Sequence, residues 1–297
     1  MTIMRYRVRH ETVYHYGGDV AHSHQLLHLT PRALPRQTCS AHAIRLEPQP
    51  SARSDGYDAF GNPVTRLEYD RPHERLAVTA ELDVEVRAPP PAAADASLPW
   101  EAVRDALIYT GQRLPPEYLD ACRFRMESGY VHVKQAFGDY AAECFPTGRP
   151  LLQCAQSLMH KLHREFSYAP GTTDVKTSVA DAFAARRGVC QDFAHIMLAC
   201  LRARGFAARY VSGYLRTQAA GAVDPNLVGA DASHAWVSVF CPPLGWVDLD
   251  PTNNLVVGQD HITLAWGRDF GDVSPLRGVI TGGGQHRLAV RVSVQAE

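Results

Sequence analysis

The residue pattern predicts an α+β fold led by an N-terminal antiparallel β domain, and three observations carry that prediction. Apolar and polar residues alternate with a period of two through much of the first 88 residues. Within Trp100–Tyr109, Leu151–Phe166, Val179–Ala185 and Cys190–Arg204 the pattern is helical. After Gly205, strand-like segments resume. A period that changes from two to 3.6 and back marks strands and helices segregated along the chain.

The N-terminal β domain is assigned to residues 1–88. Tyr6, Val8 and His10 alternate with arginines, and Val78, Ala80, Leu82, Val84 and Val86 alternate with polar residues, as in strands with one buried face. Asp58-Ala-Phe-Gly-Asn-Pro63 and several proline-centred breaks read as turns between them. Pro89-Pro-Pro91 with Ala92-Ala-Ala-Asp95 opens a linker and helical segment, 89–149, whose helix runs over Trp100–Tyr109. A core follows over 150–297. Its first helix is Leu151–Phe166, where Leu151, Leu152, Ala155, Leu158, Met159 and Leu162 share a face. A short helix, Val179–Ala185, ends at Arg186-Arg187-Gly188. Phe193, Ile196, Met197, Cys200 and Leu201 mark a helix from Cys190 to Arg204, with Gly205 as a left-handed cap. Strands are expected at Ala208–Leu215, Ala235–Phe240 and Trp246–Asp250, with a polar loop at about 216–231 between the first two. Leu288, Val290, Val292 and Val294 alternate again after a Gly282-Gly-Gly284 turn.

The 297 residues are enough for one large domain or two ordinary ones. A net charge of -1 gives no global attraction to nucleic acid or an anionic membrane, so neither is expected as a partner. The first ten residues lack the apolar run of a signal peptide, and no stretch approaches the roughly 18 apolar residues of a spanning helix. A cytoplasmic location is the resulting expectation. The seven cysteines are Cys39, Cys122, Cys144, Cys154, Cys190, Cys200 and Cys241. They are scattered, odd in number and without a C-x-x-C pair, which fits free thiols in a reducing compartment. Most such cysteines are small buried hydrophobes.

Cys190 is placed differently, at the first turn of its helix, where unpaired amides favour thiolate over thiol. A thiolate there is a competent nucleophile, and its own backbone N–H can help stabilise an oxyanion. His234 opens one strand and Asp250 ends the next, joined by a short link around Cys241-Pro-Pro-Leu244. A hairpin centred near Pro242 places His234 opposite Asp250 on one face. A carboxylate in that position can hold one imidazole nitrogen while the other faces a thiol. Asp248 shares this face by parity, so two carboxylates compete. Asp192 reads as an N-terminal helix charge and hydrogen-bond anchor, and His195 as structural. His22-Ser-His24 with His28, and His160 with His163, have ligand-like spacing but lack accompanying carboxylates or cysteines, so no metal or cofactor is expected. Arg186-Arg187 reads as a solvated charge pair that could attract an acidic substrate.

Four segments occur in order: Gly188-Val-Cys-Gln-Asp-Phe-Ala-His195, Ala208-Arg-Tyr-Val-Ser-Gly-Tyr214, Asp231-Ala-Ser-His-Ala-Trp236 and Gly245-Trp-Val-Asp-Leu-Asp-Pro-Thr252. Together they resemble the transglutaminase-like superfamily, in its bacterial branch with an N-terminal β domain. The resemblance continues through Ala265-Trp-Gly-Arg-Asp-Phe270 and Val273-Ser-Pro-Leu-Arg-Gly278, and more loosely through Leu29-Thr-Pro-Arg32 and Asp58-Ala-Phe-Gly-Asn62. It implies a papain-like α+β core, with the nucleophile helix packed on an antiparallel sheet. It also implies a triad of Cys190, His234 and Asp250, the last through the Asp-Pro-Thr match, which separates Asp250 from Asp248. Gln191 stands where animal transglutaminases carry Trp, and no acidic loop resembles their calcium sites, so calcium dependence is not carried over.

The chemistry implied is acyl transfer from a peptide or amide substrate through a Cys190 thioester. Hydrolysis, as an amidase or peptidase, is the expected outcome. Amine transfer is the alternative, and a non-catalytic binding module retaining the fold is a second alternative, which keeping all three residues argues against.

Overall fold

Alternating burial runs along the first strand, β1 (Ile3–Leu27), where Tyr6, Val8, His10 and Thr12 face inward and the intervening arginines face out. The computed structural model describes residues 3–90, 93–108, 110–111, 113–173, 177–216 and 233–297. β1 is the spine of an antiparallel sheet with β2 (Gln37–Glu47), β3 (Ala52–Tyr57), β4 (Pro63–Tyr69) and β5 (His73–Arg87) in the order β2-β5-β1-β4-β3. Arg5, Arg7 and Arg9 lie directly opposite Glu85, Asp83 and Glu81 and form ion pairs with them at 2.8, 3.2 and 2.7 Å. Each exposed pair contributes only about 0–1 kcal/mol. A one-residue slip would break all three and expose the buried face, so they help fix register.

Helices fill the middle of the chain: α1 (Trp100–Ala106), α2 (Pro116–Cys122), α3 (Gln135–Ala141), α4 (Leu151–Glu165), α5 (Val179–Ala185) and α6 (Cys190–Ala203). α5 has the bounds expected from sequence. α1 stops short of the expected Tyr109, which lies outside the described residues along with Pro91 and Ala92 of the linker. Every residue of the predicted apolar face of α4 is buried. Two-residue strands β6 (Ser167–Tyr168) and β7 (Arg187–Gly188) pair in parallel and bring the end of α4 to the start of α6. Gly205 ends α6 with φ of 88°, and the Phe206 amide donates back to the Leu201 carbonyl at 3.0 Å, as the left-handed cap requires. Among the described residues no helix is long and apolar enough to cross a membrane.

The second sheet is antiparallel, with order β11-β10-β9-β8-β12. Its strands are β8 (Ala208–Leu215), β9 (His234–Phe240), β10 (Trp246–Asp250), β11 (Leu255–Val256) and β12 (His261–Gly267). α6 packs on β8 and β9, so the core is a helix laid on an antiparallel sheet. Of the polar loop expected at about 216–231, only Arg216 is among the described residues. After the short α7 (Phe270–Val273) come β13 (Leu276–Gly282) and β14 (His286–Ala296), and both pair with β1. The segment 150–297, which the sequence assigns to the core, thus gives its last two strands to the N-terminal sheet. The alternation in β14 is a strand as expected, but Leu288 and Val290 are exposed and Val294 is the buried member.

The two sheets are joined by polar clips as well as by core. β12 is an edge strand whose backbone groups need partners. The Gln37 side chain donates to the Thr263 carbonyl and accepts from the Thr263 amide, both at 2.7 Å. Asn62 treats Trp266 the same way, at 2.8 and 2.9 Å. Gly213, in β8, packs so closely that an added Cβ would lie 2.1 Å from the Ile262 carbonyl oxygen and 2.5 Å from the Trp236 ring. Gly213→Ala is therefore expected to cost at least about 2 kcal/mol, because backbone on one side and a buried indole on the other leave no room to relax. Chemical denaturation measures this; an unchanged midpoint would contradict the packing described.

Candidate active site

Cys190 opens α6 and is half-buried. The turn before it is held by Asp192, whose carboxylate accepts the Val189 amide at 2.8 Å and the Thr173 hydroxyl at 2.7 Å. Burial raises the Asp192 carboxyl above its ordinary value even against these bonds. Gly188 is required here, since a Cβ would lie 2.4 Å from the Asp192 carboxylate. Asp192 thus anchors the helix start, as its position in the sequence predicts. His195 is structural: it accepts the Phe270 amide at 3.2 Å, stacks on Tyr130, and is pushed down to about 3 by burial.

His234 is the first residue of β9 and is buried. Its Nε2 lies 2.7 Å from Asp250 Oδ2, its Nδ1 bonds no nitrogen or oxygen, and the other side chain acting on the ring is the Cys190 thiol. Cys190 Sγ approaches the neighbouring Ser233 carbonyl at 4.0 Å. Burial works against charging His234, but the Asp250 carboxylate outweighs it, with a further contribution from Cys190, and raises the imidazole to about 10. The hairpin register differs by two residues from the one expected. Leu249 pairs with Val237, so Asp250 is level with Trp236 and reaches His234 diagonally along the shared face. Asp248, the competing carboxylate, accepts the Trp236 indole N–H at 3.3 Å and pairs with Arg36 at 3.1 Å.

Asp250 is buried and fully bonded. Oδ1 accepts the amides of Thr252 and Asn253 at 3.0 and 3.2 Å. Oδ2 accepts His234, the Asn253 side-chain amide at 2.8 Å, and His261 Nε2 at 3.1 Å. Burial alone would raise this carboxyl; the two histidines instead hold it far below the usual carboxylate range. Sequence reasoning missed Asn253 and His261. Asn253 follows Asp250 by three residues within the same turn, a local signal of an Asx-type cap. His261 carries no local signal, because only the β8–β12 pairing brings it to Asp250.

The side chains of His234, Asp250 and His261 offer ligand atoms within 4.8 Å of one another. The two Nε2 atoms lie 2.7 and 3.1 Å from one carboxylate oxygen, each as a hydrogen-bond donor, whereas ligands held about 2.0–2.1 Å from a tetrahedral zinc stand about 3.3 Å from one another and carry no proton on the ligating nitrogen. The donor amide of Asn253 also occupies this point, so the trio is built as a hydrogen-bonded network.

The histidine groups singled out by spacing are dispersed. His22 and His24 are exposed on β1. His28 is buried against the Ser274 carbonyl and Asp58. His160 and His163 bond separate carbonyls, of Gln156 and Thr252. Arg186 departs from the solvated pair expected: its guanidinium lies over Tyr140, Phe166 and Phe183 at 4.7, 4.8 and 4.7 Å, while Arg187 is exposed. Of the other cysteines, Cys144, Cys154, Cys200 and Cys241 are buried, and burial pushes Cys154 up to about 11.

Two family models match the chain. Residues 6–85 match the bacterial transglutaminase-like N-terminal region, and residues 139–251 match the transglutaminase-like superfamily. An uncharacterised protein of Mycobacterium bovis is 40% identical over 283 residues, covering 93% of this chain and 87% of the relative. The chain belongs to the transglutaminase-like superfamily. A protein-glutamine gamma-glutamyltransferase of Pseudomonas aeruginosa is 34% identical over 104 residues, which is 33% of this chain and 16% of that protein. The crystal structure of a putative cysteine protease from Cytophaga hutchinsonii superposes with a TM-score of 0.76 at 18% identity, covering 100% of this chain and 91% of that one. That likeness establishes the shared two-part architecture. The superfamily match spans Cys190, His234 and Asp250; His261 lies beyond it.

Proposed function

We propose that this transglutaminase-like protein is a thiol amide hydrolase with Cys190 as nucleophile, His234 as acid–base and Asp250 as the orienting carboxylate. The observation that carries the reading is the buried His234–Asp250 bond at 2.7 Å, which leaves Nδ1 as the ring nitrogen available to Cys190 at the start of α6. His234 takes the Cys190 proton, and the thiolate attacks the substrate carbonyl. The Cys190 backbone amide, unpaired at the helix start, stabilises the oxyanion. The C–N bond breaks as His234 returns the proton to the leaving amine, giving a thioester. Water, activated by the same imidazole, adds to the thioester, and the thiol leaves with a proton.

Water is the default acceptor for a thioester reachable from solvent, whereas transfer needs a place that holds an amine. The structural neighbour that spans this chain is called a putative cysteine protease, a name consistent with hydrolysis. The gamma-glutamyltransferase relative favours the second reading, amine transfer, through the third of the chain that it matches. Incubating a peptide library with and without a primary amine, followed by mass spectrometry of the products, separates them. Cleavage or deamidation unaffected by the amine is expected; products that carry the amine would replace hydrolysis by transfer.

A pH profile follows from the imidazole. His234 must be protonated to supply the leaving amine, so the alkaline limb of turnover should fall at about pH 10 rather than near neutrality. Stability follows by linkage. The raised His234 contribution is complete below about 6.5 and lost as pH rises through about 10. The depressed Asp250 contribution is complete above about 4 and lost as pH falls below it. Thermal melts across pH should therefore place the pair's full contribution between these limits. A turnover limb near pH 7 in protein that melts normally would contradict the acid–base assignment.

A further inference from the structure

His261 reaches the site on a strand that the N-terminal sheet holds in place. Tyr6 donates to the Gln259 carbonyl and to Asp260, both at 3.1 Å, immediately before it. The Gln37 and Asn62 clips fix the same strand at Thr263 and Trp266. Between these anchors the His261 imidazole is buried, set edge-on to Trp236 at 5.2 Å and 6.0 Å from the ring of His234. Its Nε2 is 3.1 Å from the carboxylate oxygen that His234 uses, and its Nδ1 has no hydrogen-bond partner. An ionised carboxylate only accepts, so the proton on His261 is assigned to Nε2.

We propose that His261 is a positioning residue for the Cys190 reaction, fixing Asp250 Oδ2 and limiting how tightly that oxygen holds the His234 proton. This rests on the Cys190–His234–Asp250 reading. An oxygen that already takes two other donors has less charge density for a third. An imidazolium bound too firmly to its carboxylate gives up its proton reluctantly, which slows delivery to the leaving amine. The titratable groups that face His234 are Asp250 from β10 and Cys190 from α6, which raise it, and His261 from β12, whose ring lies 6.0 Å away. The N-terminal domain thereby takes part in the site by holding the strand that bears His261.

The test compares His261→Phe, which fills the space without a donor, with His261→Gln, whose amide can replace Nε2–H. It reads kcat, KM and the alkaline limb on a peptide substrate found in the library screen, with melts for each variant. His261→Phe should lower kcat roughly tenfold at unchanged KM and move the limb upward, and His261→Gln should restore both. A folded His261→Phe protein with wild-type kcat and limb, or with a limb moved down, overturns the proposal, as does a Gln variant no better than Phe. Nitrogen NMR of the wild-type histidines gives a test independent of variant folding: His261 must carry its proton on Nε2, and an Nδ1–H form overturns the proposal. Alkylation of Cys190 in the wild-type protein keeps the two readings apart. An unreactive Cys190 is a failure of the triad; a reactive Cys190 with indifferent His261 variants is a failure of this proposal alone.

Discussion

Cys190→Ala is expected to reduce turnover by about 10⁴- to 10⁶-fold while the protein stays folded. The activity loss follows from removing the atom that forms the thioester, and loss of a nucleophile in a comparable triad costs about 10⁶-fold in turnover. The fold should survive because Cys190 is half-buried at a helix terminus, so only one sulfur's packing is lost, worth about 1 kcal/mol. The anchoring of the helix start by Asp192 on the Val189 amide does not involve the sulfur. Circular dichroism and turnover of the same preparation check both halves. Residual activity near wild type would place the nucleophile elsewhere.

Asp250→Asn is expected to lower turnover about 10- to 1000-fold and to destabilise the protein as well. In a serine triad the same change costs about 10⁴-fold, and a cysteine enzyme with a preformed ion pair depends on it less. The stability effect comes from Asp250 accepting five hydrogen bonds, two on Oδ1 and three on Oδ2. An amide is nearly the same shape, yet whichever way it turns, its NH₂ meets N–H donors. Removing one partner of a buried ion pair costs about 3–5 kcal/mol, which leaves a domain of ordinary stability marginal. Turnover is therefore compared at a temperature where circular dichroism shows the variant folded. An Asn variant with wild-type stability and turnover would show that this network neither orients His234 nor holds the turn.

What the sequence disclosed is what is local. Helix α5 and strand β8 carry their own boundaries, the first in its Ser178 cap and the left-handed Arg186, the second in a run of residues buried on both faces. Cys190, His234 and Asp250 could be named because each lies at the end of an element, where side chains from different elements can meet. Period-two parity kept Asp248 and Asp250 equivalent; the Asp-Pro-Thr match pointed to Asp250, and the structure has Asp248 paired with Arg36 from the other sheet. β14 was legible as a strand, but no local pattern tells that Val294 pairs with Val8 across nearly the whole chain. His261 was hidden for the same reason: its partner is set by sheet topology. The helices α2 and α3 are as short as α5, at seven residues each, but lack its side-chain cap, so neither a capping residue nor a 3.6-residue period marks them.

The central claim, that His234 activates Cys190, is tested most directly without any substrate. Three cysteines, Cys39, Cys122 and Cys190, are half-buried, so exposure alone does not single one out. Substoichiometric iodoacetamide at neutral pH, followed by peptide mapping, reads which thiol is activated. The first alkyl group should appear on Cys190, and its rate should fall sharply in His234→Ala protein that remains folded. Alkylation of Cys39 or Cys122 with Cys190 untouched, or a Cys190 rate indifferent to His234, would contradict the account.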